Sequence, residues 1–186
     1  VLDAIARTTE EISDEMLCSI LLLDADGVHL RHAAARNLPE DFVRAINGEP
    51  IGPKAGSCGT AAYRNERVIV ADIASDPLWA DYRALALQHG LRACWSTPIR
   101  STQGRVLGTF ALYYAEARSP DRDDLALIDR LTHLASIAIE RRRAQQVLER
   151  ERREFQTIID TAPVMIAYKS SDDHFLAVNH AFVEFV

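Results

Sequence analysis

The sequence lacks the features that mark several large classes of protein. It carries 21 lysines and arginines against 27 aspartates and glutamates, for a net charge of −6, and no basic stripe is present that would neutralise phosphates. This balance argues against nucleic acids and against anionic membrane surfaces as partners. No uninterrupted apolar run approaches the roughly 20 residues that a membrane-spanning helix needs. We therefore expect neither nucleic-acid binding nor membrane insertion.

Cysteine and histidine are too sparse for a structural metal site or a disulfide framework. Cys18, Cys58 and Cys94 are 40 and 36 residues apart, which matches neither a zinc site nor a CxxC motif. An odd number of cysteines argues against a secreted disulfide scaffold, so we expect a reducing, cytoplasmic location. The six histidines include no pair at the i, i+4 spacing of helical metal ligands, and no metal site is predicted.

The order of apolar patterns along the chain predicts an α+β fold. Hairpins separated by helical segments indicate an antiparallel sheet layered with helices, not a doubly wound parallel sheet. The predicted elements, in chain order, are a helix at 1–16, strands at 18–24 and 28–35 around a DADG turn, helices at 39–46 and near 57–65, a strand at 67–73, a helix at 77–89 ended by Gly90, strands at 91–101 and 105–116, and a long helix at about 121–160.

One turn-rich stretch places a cysteine between two glycines. It reads GPKAGSCGTAAYRNERVIVADI over residues 52–73 and contains Cys58. The thiol lies at the start of a predicted helix, where the helix dipole favours a thiolate. Four roles are open for it: a nucleophile, a ligand contact, a redox switch, or a small residue that fits a tight turn. The stretch lacks the lysine that follows the second glycine of a P-loop.

This stretch, together with DPLW, LRACWSTPI and GRVLGTFALYY further along, resembles the GAF domain of bacterial signalling proteins. The resemblance implies a GAF-like central antiparallel sheet of five or six strands flanked by helices, with loops and short helices closing a pocket on one face. It also implies a sensory module ahead of a histidine kinase or a diguanylate cyclase/phosphodiesterase, as in two-component systems. We assign residues 1–138 to this domain.

The resemblance also points to the residues that would line the pocket. Strand alternation puts Cys94 and Ser96 on one face of their strand, and in similar domains that face reaches the pocket. Structural roles stay open for the candidates: turn capping for Asp72, and core packing for the aromatic side chains and for Cys94. The predicted ligand-binding set is Cys58, Tyr63, Asp72, Trp79, Tyr82, Cys94, Ser96 and Tyr113.

The ligand itself is not identified by the sequence. In bilin-bearing GAF domains the attachment cysteine, followed by histidine, would fall near residue 81, where this chain has Ala80, Asp81 and Tyr82. No covalent bilin is therefore expected. The spaced signature of cyclic-nucleotide-binding GAF domains is also missing. We predict an unknown small molecule, or a change of redox state, as the input.

Two alternatives to a sensor stay open. The free methionine-sulfoxide reductases are GAF-fold enzymes with a GxCG turn similar to the one that contains Cys58. They also need a nucleophilic cysteine in the loop after the next strand. Here that loop reads ASDPLWADY, so a two-thiol mechanism lacks its attacking group. The other alternative is a scaffold that dimerises and binds no ligand. We predict a non-enzymatic domain with no catalytic residues.

The long helix carries a pattern typical of a dimeric linker. Positions 137, 141, 144, 148, 151, 155 and 158 step by four and three, and five of the seven are apolar, which is a coiled-coil spacing. A solvated helix with mixed charges is the other interpretation. We assign residues 139–160 to a helical linker that joins two copies of the chain through Ile137, Ala144, Leu148, Phe155 and Ile158.

The last residues look like the beginning of a second domain. IIDTAP, MIAY and FLAVNHAF resemble the first third of a PAS domain, so residues 161–186 are assigned to a truncated PAS segment. Two strands do not bury enough surface to fold alone. The chain also opens on Val1 inside a predicted helix. We therefore expect it to be part of a longer protein with a downstream output domain.

Overall fold

The computed structural model describes residues 1–13 and 15–185. The chain divides into two compact units, Val1–Glu140 and Arg141–Val186. From Val1 to Thr161 the elements are α1 (Leu2–Glu10), β1 (Met16–Leu23), β2 (His29–Ala34), α2 (Glu40–Ile46), β3 (Glu49–Pro50), α3 (Gly56–Arg64), β4 (Val68–Val70), a 3-10 helix (Pro77–Trp79), α4 (Arg83–Gln88), β5 (Ala93–Arg100), β6 (Val106–Tyr114) and α5 (Arg122–Thr161).

The first unit is built on one antiparallel sheet of six strands, in the order β3-β2-β1-β6-β5-β4. β6 is central and pairs with both β1 and β5. Leu112, for example, lies opposite Cys18 on one side and Trp95 on the other. The predicted α+β architecture with five or six strands is confirmed. β3 has only two residues, too few for a periodic pattern, and the sequence did not predict it.

One face of this sheet is covered by α1 and by the first turns of α5. The buried side chains of α5 recur every three or four residues, as expected for a helix with one face against a core. All of them are at most 8% exposed. The apolar layer they enter consists of Trp95, Phe110, Leu112 and Tyr114 from the sheet and Ile128, Leu131, Ala135 and Ile139 from α5.

The other face of the sheet is covered by short segments. α2, α3, the 3-10 helix and α4 contribute Phe42, Ala61, Trp79 and Ala86 to a second apolar cluster. The alternation predicted for β5 is observed, since Trp95 enters the first layer and Cys94 the second.

Two predicted helices differ from the observed ones. The helix predicted at 1–16 ends at Glu10, and Met16 begins β1 opposite Tyr114. The helix predicted at 77–89 is split into the 3-10 helix and α4. The Asp76 carboxylate caps the start of the first piece by accepting from the Leu78 N–H at 2.8 Å.

The second unit contains the last part of α5 and the hairpin of β7 (Ala167–Lys169) and β8 (Phe175–Val178), followed by α6 (His180–Phe185). Asn179 is fully buried. Its side-chain amide donates to the carbonyls of Ile159 and Val164 and its oxygen accepts from the Ile166 N–H. Hairpin side chains are mostly exposed, and the PAS resemblance of this unit stays a prediction.

Candidate functional site

The turn before α3 is closed by backbone geometry and by one hydroxyl. Gly56 has a φ of +58°, a left-handed conformation that glycine adopts without steric cost. The Thr60 hydroxyl accepts a hydrogen bond from the Ala55 N–H at 3.2 Å. A Cβ added to Gly56 would lie 3.8 Å from the Trp79 ring, so a side chain there would enter the space beside the indole.

Ser57 joins three elements beneath this turn. Its hydroxyl donates to the carbonyl of Cys94 on β5 at 3.2 Å and accepts from the indole N–H of Trp79 at 2.9 Å. Ser57 and Trp79 are both buried, where an unpaired polar group is costly. The position of Trp79 against α3 is therefore set by a hydrogen bond as well as by packing.

Cys58 lies one residue further along α3 and faces two side chains of the sheet. Its Sγ is 3.6 Å from the hydroxyl of Tyr113, and Tyr113 lies opposite Cys94 in the β5–β6 register. Hydrogen bonding by the Cys94 thiol, and to a smaller extent by Tyr113, lowers the pKa of Cys58 to about 7 against the opposing effect of burial. Burial raises the pKa of Cys94 and that of Tyr113. The negative charge of the cluster is therefore favoured on Cys58.

Small polar side chains cover the sheet beneath Cys58. Ser19, Ser96 and Thr109 are fully buried. The hydroxyls of Ser96 and Thr109 are near enough to Cys58 to contribute to its lowered pKa. None of the three completes a hydrogen bond of normal length with a residue that the structure describes. Since such hydroxyls reduce stability, this patch is packed less favourably than the opposite face.

A cavity of about 40 Å³ lies against this cluster, which is room for about three water molecules. Cys58, Trp79, Tyr82 and Tyr113 line it, so four of the eight predicted pocket residues meet there. The other lining residues come from β1, β2, the segment from α2 to β3, and the start of α3: Leu21, Leu30, Ile46, Glu49, Pro50, Ala55, Gly56, Ser57 and Gly59.

Glu49 and Tyr82 add polar groups to this mostly apolar lining. The Tyr82 hydroxyl donates to the Glu49 carboxylate at 3.1 Å. Burial, and then the nearby Glu49 carboxylate, raise the pKa of Tyr82, so its hydroxyl remains a hydrogen-bond donor at neutral pH. The pair connects β3 to the segment that follows the 3-10 helix.

Three predicted pocket residues lie near the cavity but do not line its surface. Cys94 and Ser96 are fully buried in β5, beneath Cys58. Tyr63 is on α3, as Cys58 is, but its side chain is 57% exposed.

Asp72 lies outside the cavity and shapes the turn after β4. Its carboxylate accepts from the N–H of Ala74 at 3.2 Å and forms an ion pair with Arg92 at 3.1 Å. The hydrogen bond from Ala74, and then the Arg92 guanidinium, hold the pKa of Asp72 below its usual value.

Sequence reasoning missed Ser57, Glu49 and the proximity of the two cysteines. Ser57 stands inside the quoted turn, and a hydroxyl at a helix start was a usable signal. Glu49 belongs to the two-residue β3, which shows no pattern. Cys58 and Cys94 are 36 residues apart, and only the packing of α3 over β5 brings them together.

The predicted dimer residues lie on α5 with their side chains exposed. Ile137 is 50% exposed, and Leu148, Phe155 and Ile158 are 65–66% exposed. Ala144 is exposed as well. Exposed apolar side chains at this spacing are typical of a helix that pairs with another helix, and the dimer stays a prediction.

The first unit matches a known protein family. The family model described as GAF domain covers residues 1–140. The chain belongs to the GAF domain family. The resemblance inferred from the turn around Cys58 and from the three segments that follow it is therefore confirmed.

This GAF chain is similar to one curated sensor and, in fold, to solved structures that include a sensor kinase domain and an enzyme. The methyl sulfide methyltransferase-associated sensor of Methanosarcina acetivorans is 35% identical over 185 residues, which is 99% of this chain and 18% of that relative. A domain described as that of a two-component sensor histidine kinase from Sinorhizobium meliloti has a TM-score of 0.65 at 22% identity and covers 79% of this chain and 94% of that one. The free methionine-R-sulfoxide reductase of Neisseria meningitidis has a TM-score of 0.62 at 21% identity, with 77% and 78% covered. The two structural likenesses show the fold.

Two other kinds of site were sought in the GAF domain and the unit that follows it. Within residues 1–13 and 15–185, no group of three or more His, Cys, Asp or Glu side chains is placed to hold a metal ion. Over the same residues, none of the helices combines the length and hydropathy required to cross a bilayer.

Proposed function

We propose that this chain is a regulatory sensory segment of a signal-transduction protein, and that the cavity beside Cys58 is its input site. The single observation that carries the proposal is that a small, partly open cavity, a thiol of lowered pKa and three aromatic side chains meet under short covering segments. Membership of the GAF family and the sensor name of the M. acetivorans relative support it. The chain spans 18% of that relative, so the kinase or cyclic-di-GMP output domain and the PAS identity of residues 161–186 are part of the proposal.

The cavity limits the size and polarity of the ligand. A volume of about 40 Å³ admits a molecule of only a few non-hydrogen atoms, so a nucleotide or a bilin would have to displace the covering segments. The polar side chains of the lining are Glu49, Ser57, the two tyrosines and the Cys58 thiol, beside the Trp79 indole and apolar residues. We therefore propose a small, largely apolar molecule. A methyl sulfide has this size, and the name of the relative gives it a biological context.

The relay to α5 follows from the two faces of β6. Tyr113 lines the cavity, whereas its neighbours Leu112 and Tyr114 pack in the layer that contains α5. A ligand that moves Tyr113 therefore acts on the strand against which α5 packs. A coupling of about 1–3 kcal/mol between ligand binding and the arrangement of the helix is enough to shift a two-state equilibrium.

The ligand proposal is tested with dimethyl sulfide as the probe. We expect saturable changes in the backbone amide resonances of residues 56–59 and 79–82, and at least tenfold weaker binding in Leu30→Phe, which fills the cavity. Leu127→Phe is the matched control, because Leu127 packs in the opposite layer. An absence of saturable changes, or an equal loss of affinity for dimethyl sulfide in the two variants, would exclude the cavity as the input site for this ligand class.

The dimeric linker is tested by sedimentation equilibrium. We expect Leu148→Glu to dissociate a dimer that Val147→Glu leaves intact. Both side chains are exposed, 66% and 56% respectively, but only position 148 belongs to the apolar stripe. A monomeric parent protein, or two variants with the same mass, would contradict the relay through paired helices.

A second candidate function rests on the proximity of Cys58 and Cys94. The sequence offers no second cysteine in the loop where GAF-fold reductases need one, but β5 supplies a thiol beneath Cys58. In a reductase cycle the Cys58 thiolate attacks the sulfoxide, the oxygen passes to Cys58 as a sulfenic acid with uptake of one proton, and methionine leaves. The Cys94 thiol then attacks the Cys58 sulfur, forming a disulfide and releasing the oxygen as water. An external dithiol then reduces that disulfide.

The two functions are separated by turnover of free methionine sulfoxide with thioredoxin and NADPH. A reductase would lose activity in both Cys58→Ser and Cys94→Ser, whereas Cys18→Ser would keep it. A parent rate equal to that of Cys58→Ser would exclude the reductase. If dimethyl sulfide binding is also absent and the protein is still a dimer, the remaining hypothesis is a dimeric scaffold that binds no ligand.

A further inference from the structure

A second cavity lies between the sheet and α5, on the face opposite to Cys58. Its volume is about 380 Å³, and it is placed at the edge strand β4. None of its lining residues lines the cavity beside Cys58. The sheet side supplies Arg67, Thr97, Pro98 and Arg100, and α5 supplies Asp129, Thr132, His133 and Ser136.

The sequence pattern explains why α5 presents polar groups here. Residues 129 and 133, and residues 132 and 136, are i, i+4 pairs and so lie along one side of a helix. This side flanks the buried apolar residues of α5. Ser136 is fixed to the sheet, since its hydroxyl donates to the Arg100 carbonyl at 2.5 Å.

The charges around this cavity favour an anion. Arg67 is paired with the carboxylate of Asp129, so these two offset each other. Arg100 has a neutral partner, because its Nε donates to the side-chain oxygen of Asn65 at 2.7 Å. His133 forms no hydrogen bond or ion pair with any of the residues described. The Arg100 charge is therefore left without a compensating carboxylate, in a protein whose net charge is −6.

One lining residue carries a buried hydroxyl that is unpaired within the described part of the chain. Thr132 is only 8% exposed, it lines the cavity, and its hydroxyl makes no hydrogen bond with a described residue. On the facing wall the Arg67 Nε is held by the Thr97 hydroxyl at 2.9 Å. The Arg100 guanidinium with its neutral partner, the Arg67 guanidinium held by Thr97 and Asp129, and the Thr132 hydroxyl are the kinds of donors that bind a phosphate or a carboxylate.

We propose that this cavity binds the phosphate or carboxylate group of a small molecule. Arg100 and Arg67 supply charged donors and Thr132 supplies a neutral one. The cavity is larger than one phosphate group, so the rest of the ligand has space beside α5. Because the walls belong to the sheet edge and to α5, a bound ligand would hold these two elements together. This site does not depend on the proposed input at Cys58.

The test is a titration at constant ionic strength with inorganic pyrophosphate and, separately, with citrate. Binding is followed by backbone amide resonances and by calorimetry. We expect saturable changes at residues 97–100 and 132–136 with at least one of the two anions. Arg100→Gln should weaken binding at least tenfold and Thr132→Val about threefold. Cys58→Ser should bind as the parent does.

Arg105→Gln is the matched control, because it removes the same charge from an exposed arginine whose side chain bonds Gln103. It should bind the anion as the parent does. Binding of pyrophosphate alone would identify a phosphate ligand, and binding of citrate alone a carboxylate ligand. No saturation by either anion, or equal losses in Arg100→Gln and Arg105→Gln, would overturn the proposal. Should Arg100→Gln fail to fold, Arg100→Lys is the second variant. It keeps the positive charge but lacks the planar guanidinium with its paired donors, and it should still weaken binding.

Discussion

The two faces of the six-stranded sheet are packed in different ways, although the same strands supply both. Towards α1 and α5, β5 and β6 present the large side chains of Trp95, Phe110 and Leu112. Towards α3 they present small or polar ones, among them Ser96, Thr109 and Cys94. Because successive residues of a strand point to opposite faces, each strand carries two independent surfaces. The surface towards α1 and α5 forms an apolar layer of large side chains. The surface towards α3 leaves a small cavity beside a thiol, with hydroxyls that are unpaired among the described residues.

The largest expected effect is the loss of stability when a large side chain is removed from the apolar layer under α5. Phe110→Ala should lower the free energy of unfolding by about 3–5 kcal/mol, since it removes a fully buried aromatic ring from the layer under α5. Urea denaturation followed by circular dichroism measures it. A decrease in the free energy of unfolding of less than about 1 kcal/mol would mean that this layer is not closely packed. It would contradict the proposed difference in packing between the two faces.

The second-largest expected effect is a difference in reactivity between the thiols on the two faces of the sheet. The pKa of Cys58 is lowered from 9.0 to about 7, so in the folded protein its thiolate, and its alkylation by iodoacetamide, should appear as the pH rises through about 7 and disappear below it. Burial, and then the Glu10 carboxylate, raise the pKa of Cys18, which should stay unreactive until the chain unfolds. Mass spectrometry of the labelled peptides separates them.

Cys94→Ala is the internal control for that experiment. The Cys94 thiol is the largest cause of the lowered pKa of Cys58, so removing it should move the alkylation midpoint upwards, towards 9. An unchanged midpoint would show that the two thiols do not interact.

The hydrogen bond between Trp79 and Ser57 should have a smaller effect on stability. Trp79→Phe deletes the indole donor and should cost about 1–2 kcal/mol. Ser57→Ala deletes the same bond from the other side. In a double-mutant cycle measured by urea denaturation the two changes should be non-additive, and strict additivity would mean that the bond does not hold the 3-10 helix against α3.

The smallest effect should come from a hydroxyl that completes no hydrogen bond of normal length with the described residues. Thr109→Val removes such a buried hydroxyl without changing the shape of the side chain, so stability should stay within about 0.5 kcal/mol of the parent or rise. Thr9→Val is the comparison in α1, since the Thr9 hydroxyl donates to the Ile5 carbonyl at 2.8 Å and its loss should cost about 1 kcal/mol. Equal costs in thermal unfolding would contradict the interpretation of the two faces.

Local patterns were sufficient to predict most elements but not their exact limits. The alternation of β5 and the DADG turn predicted two hairpins that the structure contains. The spacing of apolar residues from 1 to 16 is compatible with one helix, but Met16 instead pairs with Tyr114 in the sheet. Tertiary pairing therefore overrode a weak local preference at that point.

The candidate site was predicted only in part for the same reason. Trp79, Tyr82 and Cys58 belong to segments that the resemblance places over the pocket, and the structure brings these three to one cavity. Asp72 and Tyr63 belong to the same segments, but their side chains lie outside it. Which side chain of a short helix or turn faces inwards depends on the packing angle of that segment, which no periodic pattern records.

Sequence alone determined that this chain makes an antiparallel sheet with helices and a long polar helix after it, because the periods of two and about 3.6 residues are local properties. It also determined that one cysteine stands at the start of a helix. The tertiary structure decided that Cys94 lies beneath that cysteine and that Arg67 and Arg100 face α5 across a cavity. These contacts join residues that are distant in the chain. They form only when α3 and α5 pack against the strands of the sheet.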